Sequence, residues 1–378
     1  MRVLIINPIL YTAETDPIHK VESIKDTMIY SLCTGFLKKG DEPTLIAAGD
    51  YKPVSKEEYP FRIEWMESRW KKICKPRYLP LLKGLSSYLF KNKDRFDYII
   101  TSEVFSLATL SSVLFARKKT VIWHELGAHN KLLKKIPSKL WYNIIPRIFM
   151  RKVPVIPRSQ KAGEFIKIYC NNVLDVMIDH GVDIEKIGYS AEKSNYFVVL
   201  SQLIERKRVD GIIDKFNDFL EQEQSDYTLK IIGSGGEQEA LMRKVHQMRL
   251  DEKVIFYGSR THREIAPVLM SARALLVNTV KDNSMVSIAE SIAAGTPVVT
   301  TSVPFNAGYI KEHNLGIVAD KWGAEELSRI CRESAWYVEN CLHYRERLSN
   351  VYCAEQFRNV ILTKKEEYGK NGKSSGVH

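Results

Sequence analysis

The 378-residue chain has no CxxC pair, no Cys/His spacing able to hold zinc tetrahedrally, no low-complexity segment and no uncharged apolar stretch of 18 residues. Its six cysteines (Cys33, Cys74, Cys170, Cys331, Cys341 and Cys353) are scattered, which predicts reduced thiols in a cytosolic protein rather than a disulfide framework or a zinc site. Without a long apolar run no helix is expected to span a membrane, although a surface contact remains allowed. The opening MRVLIINPIL has no small-residue cleavage site behind it and fits a first β-strand better than a secretory signal. Apolar residues at 44% and charged residues at 27% are globular values, excluding a long disordered tract or a coiled coil. The length suits two domains, each with its own core.

The net charge of +11 is unevenly placed. Residues 1–188 hold 31 Lys and Arg against 20 Asp and Glu, whereas residues 189–378 are balanced at 25 each. Residues 65–96 carry nine basic and two acidic residues interleaved with Trp, Tyr, Phe and Leu, and residues 131–152 carry seven basic and no acidic residue. Basic side chains beside apolar ones predict a surface resting on anionic lipid headgroups. The competing readings are solvated amphipathic helices and a nucleic-acid surface, since the same charges meet phosphates.

Short β-branched and aliphatic runs alternate with helical stretches throughout. Strands are expected at Arg2–Asn7, Thr44–Ala48, Asp97–Ser102, Thr120–His124, Val153–Pro157 and Leu174–Ile178, then at Tyr196–Leu200, Thr228–Ile232, Lys253–Tyr257, Ala274–Asn278, Pro297–Thr301 and Gly316–Ala319. Continuous apolar runs fit parallel strands covered on both faces, hence two doubly wound α/β domains facing across a cleft where ligands bind. The polar segment 183–195 marks the join, giving domains over 1–188 and 189–353, a helix over 354–368 and a disordered tail over 369–378.

The segment 282–299, DNSMVSIAESIAAGTPVV, sets Asp282 and Glu290 eight residues apart. Asn283 and Ser284 can cap a helix whose apolar stripe is Met285, Ile288, Ala289, Ile292 and Ala293, stopped by Gly295-Thr296-Pro297. Such a helix start aims N–H groups at an anion, so a diphosphate fits here. The plainer reading is a capped helix with a solvated Glu290 off the stripe.

This segment resembles the signature of the retaining GT-B glycosyltransferases of family 4, with Asp282 standing where the pattern usually has Glu. IIGSGG (231–236) resembles the family's strand and G-x-G. IFYGSR (255–260) resembles its F-x-G loop, and QLIERKRVD (202–210) its R-L-x-x-x-K-G-x-D segment. VIWHEL (121–126) resembles the strand-end His motif, and IDHGVD (178–183) the N-G-V-D connection.

The resemblance implies a GT-B fold, a C-terminal helix returning to the first domain, and specific roles. Lys207 would neutralise the donor diphosphate, because a fixed cation stabilises charge developing on the leaving oxygen. Gln202 replaces the family's assisting Arg, so Arg206 is a candidate substitute. His124, rather than nearby His129, would contact the donor sugar, as would Asp282. Glu290 would accept both ribose hydroxyls. Gly233, Gly235, Arg260, Asn283, Ser284 and Met285 complete the expected donor site. No Asp-x-Asp metal-diphosphate motif is present, so no metal or other cofactor is expected. Asn7–Lys20 lacks the family's glycine-rich loop, leaving Glu14, Asp16 or His19 as acceptor-facing candidates.

The expected activity is transfer of a hexose or N-acetylhexosamine from a nucleotide diphosphate sugar, a UDP-sugar favoured, to a lipid-linked saccharide in cell-surface polysaccharide or glycolipid synthesis. The anomeric configuration is retained, and the expected place is the cytoplasmic inner face of the membrane, without nucleic acid as a partner. The rivals are a GT-B nucleotide-sugar 2-epimerase and a non-catalytic, nucleic-acid-binding Rossmann protein.

Overall fold

The computed structural model describes residues 1–12, 17–130 and 132–373, with side chains through Thr363. It contains two compact units. One comprises residues 1–181 and the chain from Asn350 onward, and the other Val182–Ser349.

In the first unit six parallel strands are β1 (Arg2–Ile6), β2 (Glu42–Ala48), β3 (Arg62–Met66), β4 (Tyr98–Ser102), β5 (Thr120–His124) and β6 (Val155–Pro157), in the order β3-β2-β1-β4-β5-β6. Leu4 pairs with Thr44 on one side and Ile99 on the other. The second unit repeats the plan with β7 (Tyr196–Leu200), β8 (Thr228–Ile232), β9 (Val254–Gly258), β10 (Ala274–Leu276), β11 (Val298–Thr300) and β12 (Gly316–Val318), in the order β9-β8-β7-β10-β11-β12. In both sheets the order reverses beside the first strand, the switch point outside whose carboxyl ends ligands bind in such folds. The expected α/β class with two doubly wound domains is what the chain adopts. Val3 to Ile6, Ile99, Ile100, Phe197 and Val198 are all buried, as sheets covered on two faces require.

Leu174–Ile178 forms no strand. It runs beside β6, with Leu174 N–H donating to the Val155 carbonyl and Ile178 N–H to Pro157, but exposed Asp175 and Met177 leave its other side without a partner strand. The strand β3 was not expected, because RIEWM is a half-exposed edge with alternating charges. A two-stranded hairpin, Ser68–Arg69 against Leu81–Leu82, was also unforeseen.

The division between units falls at Gly181/Val182 rather than 188/189. Val182, Ile184 and Ile187 bury in the second unit's core, outweighing the polar look of their neighbours. The final helix starts at Asn350, not 354, and continues to Lys373, past the expected end at Tyr368, while residues 374–378 of the expected tail lie outside the described residues. Within the first unit this helix packs on the helix Met28–Lys38. Asn350 Nδ2 donates to the Ser31 carbonyl at 3.0 Å, and Phe357 is fully buried against Phe36 and Trp123.

Candidate functional site

The carboxyl ends of β7, β8 and β9 surround a cavity of about 340 Å³ whose walls include Gln202, Gly233, Ser234, Ser259 and Arg260. Its shape depends on how the loop after β8 packs on the loop after β7. Gly233 has φ +138°, and a Cβ there would sit 1.9 Å from the Ser201 carbonyl oxygen. A Cβ on Gly235 would sit 2.2 Å from that of Leu203. The Leu203 N–H donates to the Ser234 carbonyl and the Glu237 N–H to Leu203, both at 2.9 Å. The G-x-G pair is thus required by backbone contact between the two loops.

The loop that carries Gln202 continues into a cluster of opposite charges. Lys207, only 9% exposed, places Nζ 2.8 Å from Asp282 Oδ2, and Arg206 Nη1 lies 2.7 Å from Asp282 Oδ1. The Thr279 hydroxyl donates to Asp282 Oδ2 at 2.6 Å, and the Val280 N–H donates to the Arg206 carbonyl at 3.0 Å, so the two loops are stitched together. Burial raises the Asp282 carboxyl, but hydrogen bonds from Lys207 and Thr279 outweigh it and hold the pKa below its ordinary value. At Lys207 burial outweighs Asp282 and lowers the ammonium pKa. The 2.8 Å contact favours the charged pair, while the flanking guanidinium favours the carboxylate and opposes the ammonium. Both Asp282 oxygens therefore face cations, and the aspartate acts here as the holder of Lys207 and Arg206.

Glu290 is not solvated. It lies on the helix Val286–Ala293, is 7% exposed, and has Oε1 3.0 Å from Nδ1 of His262. Asn283 and Ser284 do not cap this helix. Met285 is its N-cap without a side-chain bond, and its own N–H donates to Oδ1 of fully buried Asn306 at 2.7 Å. Asn306 and Thr279 gave no signal in the sequence beyond being polar residues near the motif.

In the first unit His124 ends β5 with its ring fully buried, Nδ1 2.8 Å from Glu103 Oε2, and Phe165 stacked on it. Glu103 has φ +69°, unusual for a residue with a side chain, and its Oε1 accepts the Glu125 N–H at 2.9 Å. Burial raises the Glu103 carboxyl, but His124, Arg158 and the Glu125 N–H outweigh it and hold the pKa below its ordinary value. A cavity of about 220 Å³ opens beside the carboxyl ends of β1 and β4, lined by Asn7, Ser102, Glu103, Glu125 and Arg158. The resemblance implies that His124 touches substrate, whereas the bare sequence reads it as a structural hydrogen-bonder; Glu103, its 2.8 Å partner, lines this cavity. Arg158, 3% exposed, pairs with Glu125 at 2.7 Å and sits 3.5 Å from the Trp123 ring centroid. His129 lies 3.3 Å from both Ser138 Oγ and Tyr169 Oη. His19 is exposed, and Glu14 and Asp16 lie outside the described residues.

The basic surface has an apolar component. On the helix Ile136–Phe149 the side chains Ile136, Leu140, Ile144 and Ile148 recur every four residues and are about half or more exposed, beside exposed Lys134, Lys135, Lys139 and Arg147. Trp70 and Ile73 are more than 70% exposed among Arg69, Lys71 and Lys72. Among the described residues no helix is long and apolar enough to cross a membrane.

Two Rossmann-like sheets of order 3-2-1-4-5-6 with switch-point cavities define the GT-B fold, and solved structures agree. Anabaena Alr3699/HepE in complex with UDP superposes with a TM-score of 0.67 at 13% identity, over 96% of this chain and 100% of that one. The lipopolysaccharide outer core galactosyltransferase WaaB, in its apo form, gives 0.64 at 14% identity over the same shares. Residues 183–334 match the family glycosyl transferases group 1, so the second unit carries that family's domain. The lipopolysaccharide glucosyltransferase WaaG of Escherichia coli (strain K12) is 26% identical over 181 residues, which are 45% of this chain and 47% of that protein. The chain thus matches about half the length of this curated relative.

Proposed function

We propose that the protein is a retaining, metal-independent glycosyltransferase that moves a hexose or N-acetylhexosamine from a UDP-sugar to a hydroxyl of a lipid-linked saccharide. The observation that carries this reading is the Lys207–Asp282–Arg206 cluster, whose two cations follow Gln202, a lining residue of the second unit's cavity, and whose carboxylate comes from a second loop. Two cations held by one carboxylate leave net positive charge where a departing diphosphate needs it. Among the described residues, one ammonium proton of Lys207 is engaged by Asp282 and the others remain for a ligand. The acceptor hydroxyl attacks on the leaving-group side, and the departing phosphate takes its proton, so no protein base is required. The match of the second unit to glycosyl transferases group 1 supports the reaction class.

UDP at millimolar concentration in EDTA is expected to raise Tm, by roughly 2.7 kcal/mol of linkage at one hundred times Kd, with GDP weaker. No shift with either nucleotide, or a shift only after magnesium is added, would reject the assignment.

The lipid-linked acceptor and the place of action, the inner membrane face, rest on the exposed Ile136/Leu140/Ile144/Ile148 stripe and its lysine rim, the pattern of a helix lying in an anionic interface. Each Lys near such a surface contributes about 1 kcal/mol. Reversing Lys134, Lys135 and Lys139 to Glu should therefore weaken binding to vesicles containing phosphatidylglycerol at least about 100-fold, while UDP binding persists. Sedimentation of that variant at the wild-type level would leave the stripe merely solvated, and a wild-type preference for RNA over these vesicles at equal salt would favour nucleic acid.

A further inference from the structure

A residue that no motif singles out lies 3.0 Å from the buried Glu290 carboxylate. His262 is the first residue of the helix His262–Ser271, whose start is fixed by Glu264. That carboxylate accepts the Thr261 N–H at 2.9 Å and the Thr261 hydroxyl at 2.8 Å. Ile265, one helical turn further on, lines the 340 Å³ cavity, as does Arg260 just before the helix, and residues three apart share a helix face. The imidazole side chain is 42% exposed, while the Glu290 side chain is 9% exposed. Nδ1 of His262 and Oε1 of Glu290 form an ion-pair contact at 3.0 Å, and because a carboxylate only accepts hydrogen bonds, a bond between them has the imidazole as its donor.

We propose that His262 is a positioning residue of the donor site. Its Nδ1–H holds Glu290 Oε1 and so turns the carboxylate to receive the ribose hydroxyls of the nucleotide. The inference rests on the reading of Glu290 as the ribose-binding acid. A carboxylate has two oxygens and about four acceptor sites, so Oε1 can keep its histidine and still accept one hydroxyl while Oε2 accepts the other. Without His262 the carboxylate terminus has a broad, two-fold torsional preference and no fixed plane. Selectivity for the hydroxyls should fall more than affinity for the diphosphate, which depends on a different set of residues, Arg206 and Lys207.

The test is calorimetric titration of the full-length protein with UDP and with 2′-deoxy-UDP. The wild type should prefer UDP by about 10-fold or more, the usual effect of leaving a buried acceptor unpaired. His262→Ala should bring that preference below about 3-fold while the affinity for 2′-deoxy-UDP stays within a similar factor. His262→Asn, whose amide offers an N–H near the position of Nδ1, should restore most of the preference. Equal loss of affinity for both nucleotides in His262→Ala would show a merely structural residue and overturn the proposal, as would an undiminished preference. Glu290→Gln separates the two levels of inference. If it discriminates like the wild type, or if the wild type binds no UDP, the donor-site reading itself fails. If it loses discrimination while His262→Ala does not, only the role of His262 is rejected.

Discussion

Lys207→Met is expected to lower kcat for sugar release from a UDP-sugar by about 100- to 1000-fold, the effect of removing one preorganised group that meets charge only in the transition state. That corresponds to roughly 2.7–4 kcal/mol of barrier. Stability should change far less. Asp282 loses the 2.8 Å contact with Lys207 but keeps Arg206 at 2.7 Å and the Thr279 hydroxyl at 2.6 Å, so no buried charge is stranded. Single-turnover release of UDP, followed beside Tm, separates the two effects, and a rate within about 3-fold of wild type would remove Lys207 from the reaction. Asp282→Asn should show the opposite balance, because it leaves two neighbouring cations facing each other. The pH dependence has a defined sign. With its folded pKa depressed, Asp282 contributes stability that is fully present above the unfolded carboxyl value of about 3.9 and is lost as pH falls through the lower folded value.

The second large effect is expected of Gly233→Ala. The added Cβ would meet the Ser201 carbonyl oxygen at 1.9 Å, and both φ +138° and the Gly233 N–H bond to the Gly258 carbonyl oppose relief by rotation. The obstacle is backbone, held in turn by the Ser201 N–H bond to Ile232, so the two loops must part. A destabilisation of about 3–5 kcal/mol, at the diagnostic end of the mutational range, should appear in the urea midpoint together with loss of UDP binding. Gly236→Ala is the control. A Cβ there meets nothing within 4 Å, and the change should stay within about 0.5 kcal/mol. If the two variants unfold at the same urea concentration, the close loop contact is not what the glycine serves.

The parts of the fold that could be read from the sequence are those where burial on both faces writes a continuous apolar run. Thr120–His124, Tyr196–Leu200 and Thr228–Ile232 have the limits that their residues predict. The strand β3 escaped because an edge strand buries little and its alternating charges carry no such run. Lys207 and Asp282 were legible as members of separate motifs, yet their pairing is a product of the loop contacts between Arg206 and Val280. Glu103 was illegible for a different reason. It is a solitary acid whose importance lies in a left-handed backbone and in a histidine that reaches it from the next strand of the sheet. His262 is likewise an ordinary exposed-looking residue at a helix start until Glu290 arrives from another helix. Expecting Glu290 off the apolar stripe was sound as periodicity. It failed as a guide to exposure, because the packing of a neighbouring helix covers that side as well.

The final helix has a consequence for the order in which the chain can mature on the ribosome. Cys353, Ala354, Phe357 and Ile361 belong to the same core as Val3 to Ile6, so the first unit lacks part of its interior until Ile361 has emerged. Val182–Ser349, by contrast, is continuous and holds all of its own core. At synthesis rates of about 5–20 residues per second the first 181 residues wait on the order of ten seconds for their closing helix. During that interval the inserted unit can fold to completion, and the amino-terminal sheet, although made first, is finished last.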